Sequence, residues 1–90
     1  MADPELLARV SADPKVFAGK PYIRRARNSI AIILDALSHG LTPAEIIEHY
    51  PSLEMDDIHA AVAFATALAE KNGGIALVGD QYLQYSYHQL

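Results

Sequence analysis

"GLTPAEIIEHYPSLEMDD" (Gly40–Asp57) decides how this chain folds, because it holds one helix in full and a boundary of each of two others. Pro43 follows Thr42, and its fixed φ suits the first position of a helix. Glu45 stands three residues past Thr42, so the two side chains can satisfy each other's free backbone donors in a capping box. Ile46, Ile47 and Tyr50 form the inward side of this short helix, and Pro51 ends it. Glu54, Asp56 and Asp57 then crowd the start of another helix, where the positive end of the helix dipole favours carboxylates.

Upstream, Ile30, Ile33, Leu34 and Leu37 repeat at the spacing of one helical face. Asn28 or Ser29 can cap its start, and Gly40 supplies a left-handed stop that lets Leu41 fold back on Leu37. Downstream, a helix over 55–71 places Ile58, Val62 and Ala65 on one face and Ala61, Phe64 and Leu68 on the next. It is apolar around much of its circumference, which makes it central or turned toward a second copy. Nearer the N-terminus, Asp3 and Pro4 open a short helix over 4–9, and "VSADPKVFAGKPYIR" (Val10–Arg24) reads as a small hairpin or pair of extended segments. Beyond "NGG" (72–74), Leu83, Tyr85 and Tyr87 alternate with polar neighbours, as an extended segment docked on one side would.

Composition narrows the function classes. Ninety residues make one small domain, residues 1–72, with 73–90 as an extended or short-strand tail. There is no cysteine, hence no disulfide frame, iron–sulfur cluster or thiolate zinc site. His39, His49, His59 and His88 lack any metal-motif spacing, so no metal and no cofactor is expected. No phosphate loop or nucleophile elbow occurs, so catalytic residues are not expected and the chain does not read as an enzyme. No apolar run is long enough for a membrane span, and the acidic N-terminus is unlike a signal peptide, which makes the cytoplasm the expected location.

The net charge of −4 is unevenly distributed. Residues 1–27 carry Arg9, Lys15, Lys20, Arg24, Arg25 and Arg27 against Asp3, Glu5 and Asp13, whereas residues 28–90 carry only Lys71 against eight acids. Lys20, Arg24, Arg25 and Arg27 are therefore the candidate nucleic-acid contacts, reached through phosphate rather than base edges. Their plainer reading is a solvated turn, or arginines paired with the domain's own acids. Three helices with short turns make a helix-turn-helix core, but acids at the start of the third would face a polyanion if that helix entered a groove.

Asp13-Pro14, Gly19-Lys20-Pro21, Ile23-Arg24, Arg27, Gly40, Pro43, Glu45-Ile46, Tyr50-Pro51, Leu53, Asp57-Ile58 and Ala60-Ala61 occur in a familiar order. Over residues 5–68 the chain resembles a small bacterial family, domain of unknown function 433. The resemblance implies a mainly α fold, with a three-helix, homeodomain-like core preceded by a short β element. It also implies an antitoxin-like protein that binds a toxin, often nuclease-like and of the PIN type, and its own operator DNA. Where the family has G-T-R-I-P, this chain has Arg25-Ala26-Arg27-Asn28-Ser29, so an arginine stands in place of a turn glycine. The tail lies outside the family pattern.

The expected function is thus a non-enzymatic antitoxin-like protein, a homodimer, binding a basic partner through its acidic helices and through Tyr82, Tyr85 and Tyr87. Two alternatives stand beside it: a helix-turn-helix-like DNA-binding regulator with no toxin partner, and a structural homodimeric interaction module.

Overall fold

The computed structural model describes residues 3–72, and the tail with Tyr82, Tyr85 and Tyr87 lies outside the described residues. Within them the chain is mainly helical, with a small antiparallel sheet near its N-terminus. The elements are α1 (Pro4–Leu7), β1 (Val10–Ser11), β2 (Tyr22–Ile23), α2 (Ile30–Ser38), α3 (Pro43–His49) and α4 (Met55–Asn72).

Local chemistry sets the boundaries. The Asp3 carboxylate accepts from the Glu5 N–H and opens α1. Ser29, rather than Asn28, caps α2 by accepting from the Ile32 N–H. At the far end of α2, Gly40 has φ +89; its N–H donates to the Leu37 carbonyl and the Leu41 N–H to that of Ala36. These two bonds satisfy carbonyls the helix would otherwise leave open. In the capping box of α3 the Thr42 N–H donates to Glu45 at 2.8 Å and the Glu45 N–H to Thr42 at 3.2 Å.

Val10 of β1 pairs with Ile23 of β2 and Ser11 with Tyr22. The connection between them turns through an unusual backbone: Phe17, Ala18 and Gly19 have φ of +50, +55 and +84, three left-handed residues in succession. The Phe17 ring, largely exposed, leans on the buried Tyr22 ring at 5.8 Å between centroids.

The core lies where α2, α3 and α4 close over β2. Ile23, Ile30, Ile33, Ile46, Leu53, Ile58, Ala60 and Ala61 are buried, and together they supply most of the driving force for collapse. α4 is central in the chain, since it touches every other described element. Its inward stripe runs through Ile58, Ala61, Phe64 and Leu68, which leaves Val62 exposed rather than inward. Tyr50 is also exposed: it is the C-cap that follows α3, with non-helical backbone angles, and so falls off the inward face that carries Ile46 and Ile47.

Candidate functional site

Four of the basic residues singled out from the sequence sit on β2 and its flanks, and the structure separates them into two kinds. Lys20 precedes β2, and Arg24, Arg25 and Arg27 follow it in a tight loop leading to α2. The Arg27 N–H donates to the Ile23 carbonyl, and the Ile23 N–H to the Asn28 carbonyl, closing the loop. The left-handed residue here is Arg27, at φ +60, while Arg25 carries no positive φ. The loss of a glycine at position 25 therefore does not force strain there. The loop costs something elsewhere: a left-handed Arg27, and a buried Asn28 Oδ1 with no hydrogen-bond partner.

Freed from turn duty, Arg25 reaches across to the start of α4. Its Nη2 lies 2.9 Å from Asp57 Oδ2 and also donates to the Ser52 carbonyl. From the other side, Arg9 just before β1 brings Nη1 to 3.0 Å from both Asp57 Oδ1 and Glu54 Oε1, with Asp56 at 3.6 Å. Asp57 is 1% exposed, whereas the Arg9 and Arg25 side chains are 33% and 53% exposed. Asp57 Oδ2 also accepts from the Glu54 N–H at 2.8 Å, which caps α4 from its third position.

Burial pushes the Asp57 carboxyl upward and is the largest single influence on it. The Glu54 N–H and the Arg9 and Arg25 guanidiniums together outweigh burial, so its pKa lies below the ordinary aspartate value. Arg9, hydrogen-bonded first to Glu54 and then to Asp57, is held more firmly protonated than a free arginine. The sequence had explained Glu54, Asp56 and Asp57 by the helix dipole alone. Asp57 is instead a buried acceptor that ties the segment before β1, the loop after β2 and the start of α4 together.

Lys20, Arg24 and Arg27 are different. All three are exposed; among the described residues Lys20 and Arg27 have no ionic partner, and the Arg24 side chain donates only to the Ser11 hydroxyl at 2.8 Å. Their charges remain available to a ligand, whereas the charge of Arg25 is largely neutralised by Asp57. Arg9 was not singled out from the sequence, and nothing local marks it: its partners lie 45 and 48 residues away. Among the described residues no group of three or more histidine, aspartate or glutamate side chains is arranged to hold a metal ion, and no helix is long and apolar enough to cross a membrane.

The fold and this junction define a small, mainly helical domain with a β-ribbon arm, braced by arginines on a buried aspartate. The sequence profile of the family described as "Protein of unknown function (DUF433)" matches residues 10–65, more than half of the chain. The chain belongs to that family. No curated protein and no solved structure matches it.

Proposed function

We propose that the protein is a non-enzymatic, antitoxin-like binding protein that acts as a dimer, engaging a basic protein partner and its own operator DNA. The observation that carries this reading is the separation of charge. Lys20, Arg24 and Arg27 are exposed and uncompensated on the β arm and its loop, while Asp35, Glu45 and Glu48 are exposed on α2 and α3. The first set suits phosphate, and the second suits a basic surface. The start of α4 suits DNA poorly, because Arg9 and Arg25 offset only part of the charge of Glu54, Asp56 and Asp57. DNA would therefore meet the arm rather than this helix. Tyr82, Tyr85 and Tyr87 would add aromatic area to the partner contact.

Two measurements test the reading. Co-expression with the product of the adjacent gene should give a complex that co-purifies and relieves that product's toxicity; failure on both counts sinks the partner reading. Titration of a DNA fragment from upstream of the gene, at several salt concentrations, tests the other half. Three phosphate contacts predict a slope of log K against log salt of about −2.7, and a dimer using both arms about −5. Arg24→Gln should flatten that slope by about 1 per arm; an unchanged slope removes the cluster from any DNA contact.

The alternative of a homodimeric module would have the arginines pair with acids across a dimer interface, whereas Arg25 pairs with Asp57 of its own chain, as in the plainer reading of the cluster. The junction engages Arg25 and Arg9, and among the described residues it leaves Lys20 and Arg27 without an ionic partner and Arg24 tied only to the neutral Ser11 hydroxyl.

A further inference from the structure

Phe17 is 43% exposed at the tip of the β arm, and helical register does not account for it. Ile32, Met55 and Val62 are about as exposed, but each follows from the turn of the helix that carries it. Phe17 is held out by the backbone of the tip. It and Ala18 take left-handed φ, a conformation that is costly for any residue with a Cβ. Hydrogen bonds keep the tip in this shape: the Val16 N–H donates to the Asp13 carbonyl at 2.8 Å, and the Gly19 and Lys20 N–H groups donate to the Val16 and Phe17 carbonyls at 3.0 Å. Strain that a structure holds in place in this way concentrates where a side chain is presented to a ligand.

The ring is braced as well as exposed. It leans on the buried Tyr22 ring, the two planes inclined at 59°, so it has little side-chain freedom left to lose on meeting a partner. Lys15 lies two residues before it and Lys20 three after; both are exposed and without an ionic partner among the described residues. Asp13, the one acid of the tip, is engaged with the Lys15 N–H at 2.8 Å. A braced apolar ring between two cations repels a basic protein surface and suits a polyanion that has apolar planes inside it.

We infer that Phe17 is a wedge that enters between neighbouring base pairs of the bound DNA, with the cations of the arm on the phosphates beside it. The inference rests on the proposed DNA contact of the arm and adds a deformation of the duplex to it. Phosphate contacts alone need no unstacking, whereas an inserted apolar side chain opens a base step and kinks the duplex by about 20–90°. Pyrimidine–purine steps open most easily, so the wedge gives the arm a sequence preference without any hydrogen bond to a base edge.

Circular-permutation gel shifts on the DNA fragment from upstream of the gene test it. The wild type is expected to bend the fragment by at least about 20°. Phe17→Ala should abolish the bend and weaken binding about tenfold, as the loss of one aromatic contact to a base would, with the salt slope unchanged because no charge is removed. Phe17→Leu keeps an apolar wedge and should keep the bend. Wild-type binding without a bend, or a bend that Phe17→Ala retains, overturns the wedge and leaves the phosphate contacts standing; no wild-type binding overturns both. A Phe17→Ala protein that binds DNA normally but no longer co-purifies with the product of the adjacent gene assigns the ring to a protein contact and also overturns the wedge. If Phe17→Ala fails to fold by circular dichroism, isotope-filtered NMR on the wild-type complex decides. Nuclear Overhauser contacts from the Phe17 ring to base or deoxyribose protons support the wedge, and their absence overturns it.

Discussion

Replacing Asp57 by asparagine should destabilise the domain by about 2–3 kcal/mol, although the change is nearly isosteric. The carboxylate accepts three hydrogen bonds, from Arg9, Arg25 and the Glu54 N–H, at 2.8–3.0 Å. Hydrogen bonds to charged groups are worth about 1.5–3 kcal/mol each. The two guanidiniums are partly exposed and can return to water, so their share shrinks toward the roughly 0–1 kcal/mol of a surface pair. Asparagine keeps one acceptor oxygen and turns a donor toward a guanidinium, which restores a penalty at a side chain that is 1% exposed. For a domain of this size the loss corresponds to about 10–20 °C in melting temperature.

Urea and thermal unfolding followed by circular dichroism measure it, and the pH dependence identifies its origin. The folded pKa of Asp57 is depressed, so its stabilisation is present above the unfolded aspartate value of about 3.9 and is lost as pH falls through the lower folded value. The gap between wild type and Asp57→Asn should be constant at neutral pH and narrow only below about pH 4. Arg25→Ala alone should cost about 1 kcal/mol, and less in the Asp57→Asn background. A wild type and Asp57→Asn that melt together at pH 7, or a gap indifferent to acid, would refute the reading of Asp57 as the junction's anchor.

Other substitutions give independent checks. Arg27→Gly relieves a left-handed arginine and should stabilise by about 0.5–1 kcal/mol in thermal melts, while weakening any DNA binding through the lost charge. Thr42→Ala removes half of the capping box and should cost about 1 kcal/mol by urea unfolding. Glu45, whose pKa is lowered chiefly by the Thr42 N–H, should make the wild type lose part of this contribution in acid, as the carboxylate protonates. Ile46→Val trims one methylene from a fully buried side chain and should cost about 1 kcal/mol with the slope of the urea transition unchanged.

Where the fold was legible in the sequence, the signals were local. Thr42–Glu45, Ser29, Asp3 and Gly40 act within four residues of themselves, and each does in the structure what such residues do in isolation. The stripe of α4 was legible only in part, since Val62 and Ala61 both fit helical spacing and tertiary packing chose Ala61. The junction was illegible because its members are 32 and 48 residues apart, and charge alone does not say which arginine meets which acid. A usable signal was present in the departure at Arg25: a glycine replaced by a long cation, with three acids awaiting a counter-charge further along the chain.

An ordinary helix frays at both ends, and here the first turn of α4 is fastened from two directions by Arg9 and Arg25. Local unfolding of α4 should therefore start at its far end and run backward, with the hydrogen-bonded amides of its second turn, around the buried Ile58, Ala60 and Ala61, among the last to exchange. The same fastening joins the loop holding Arg24 and Arg27 to α4, so a load applied at that loop is felt by the longest helix without passing through the hydrophobic core.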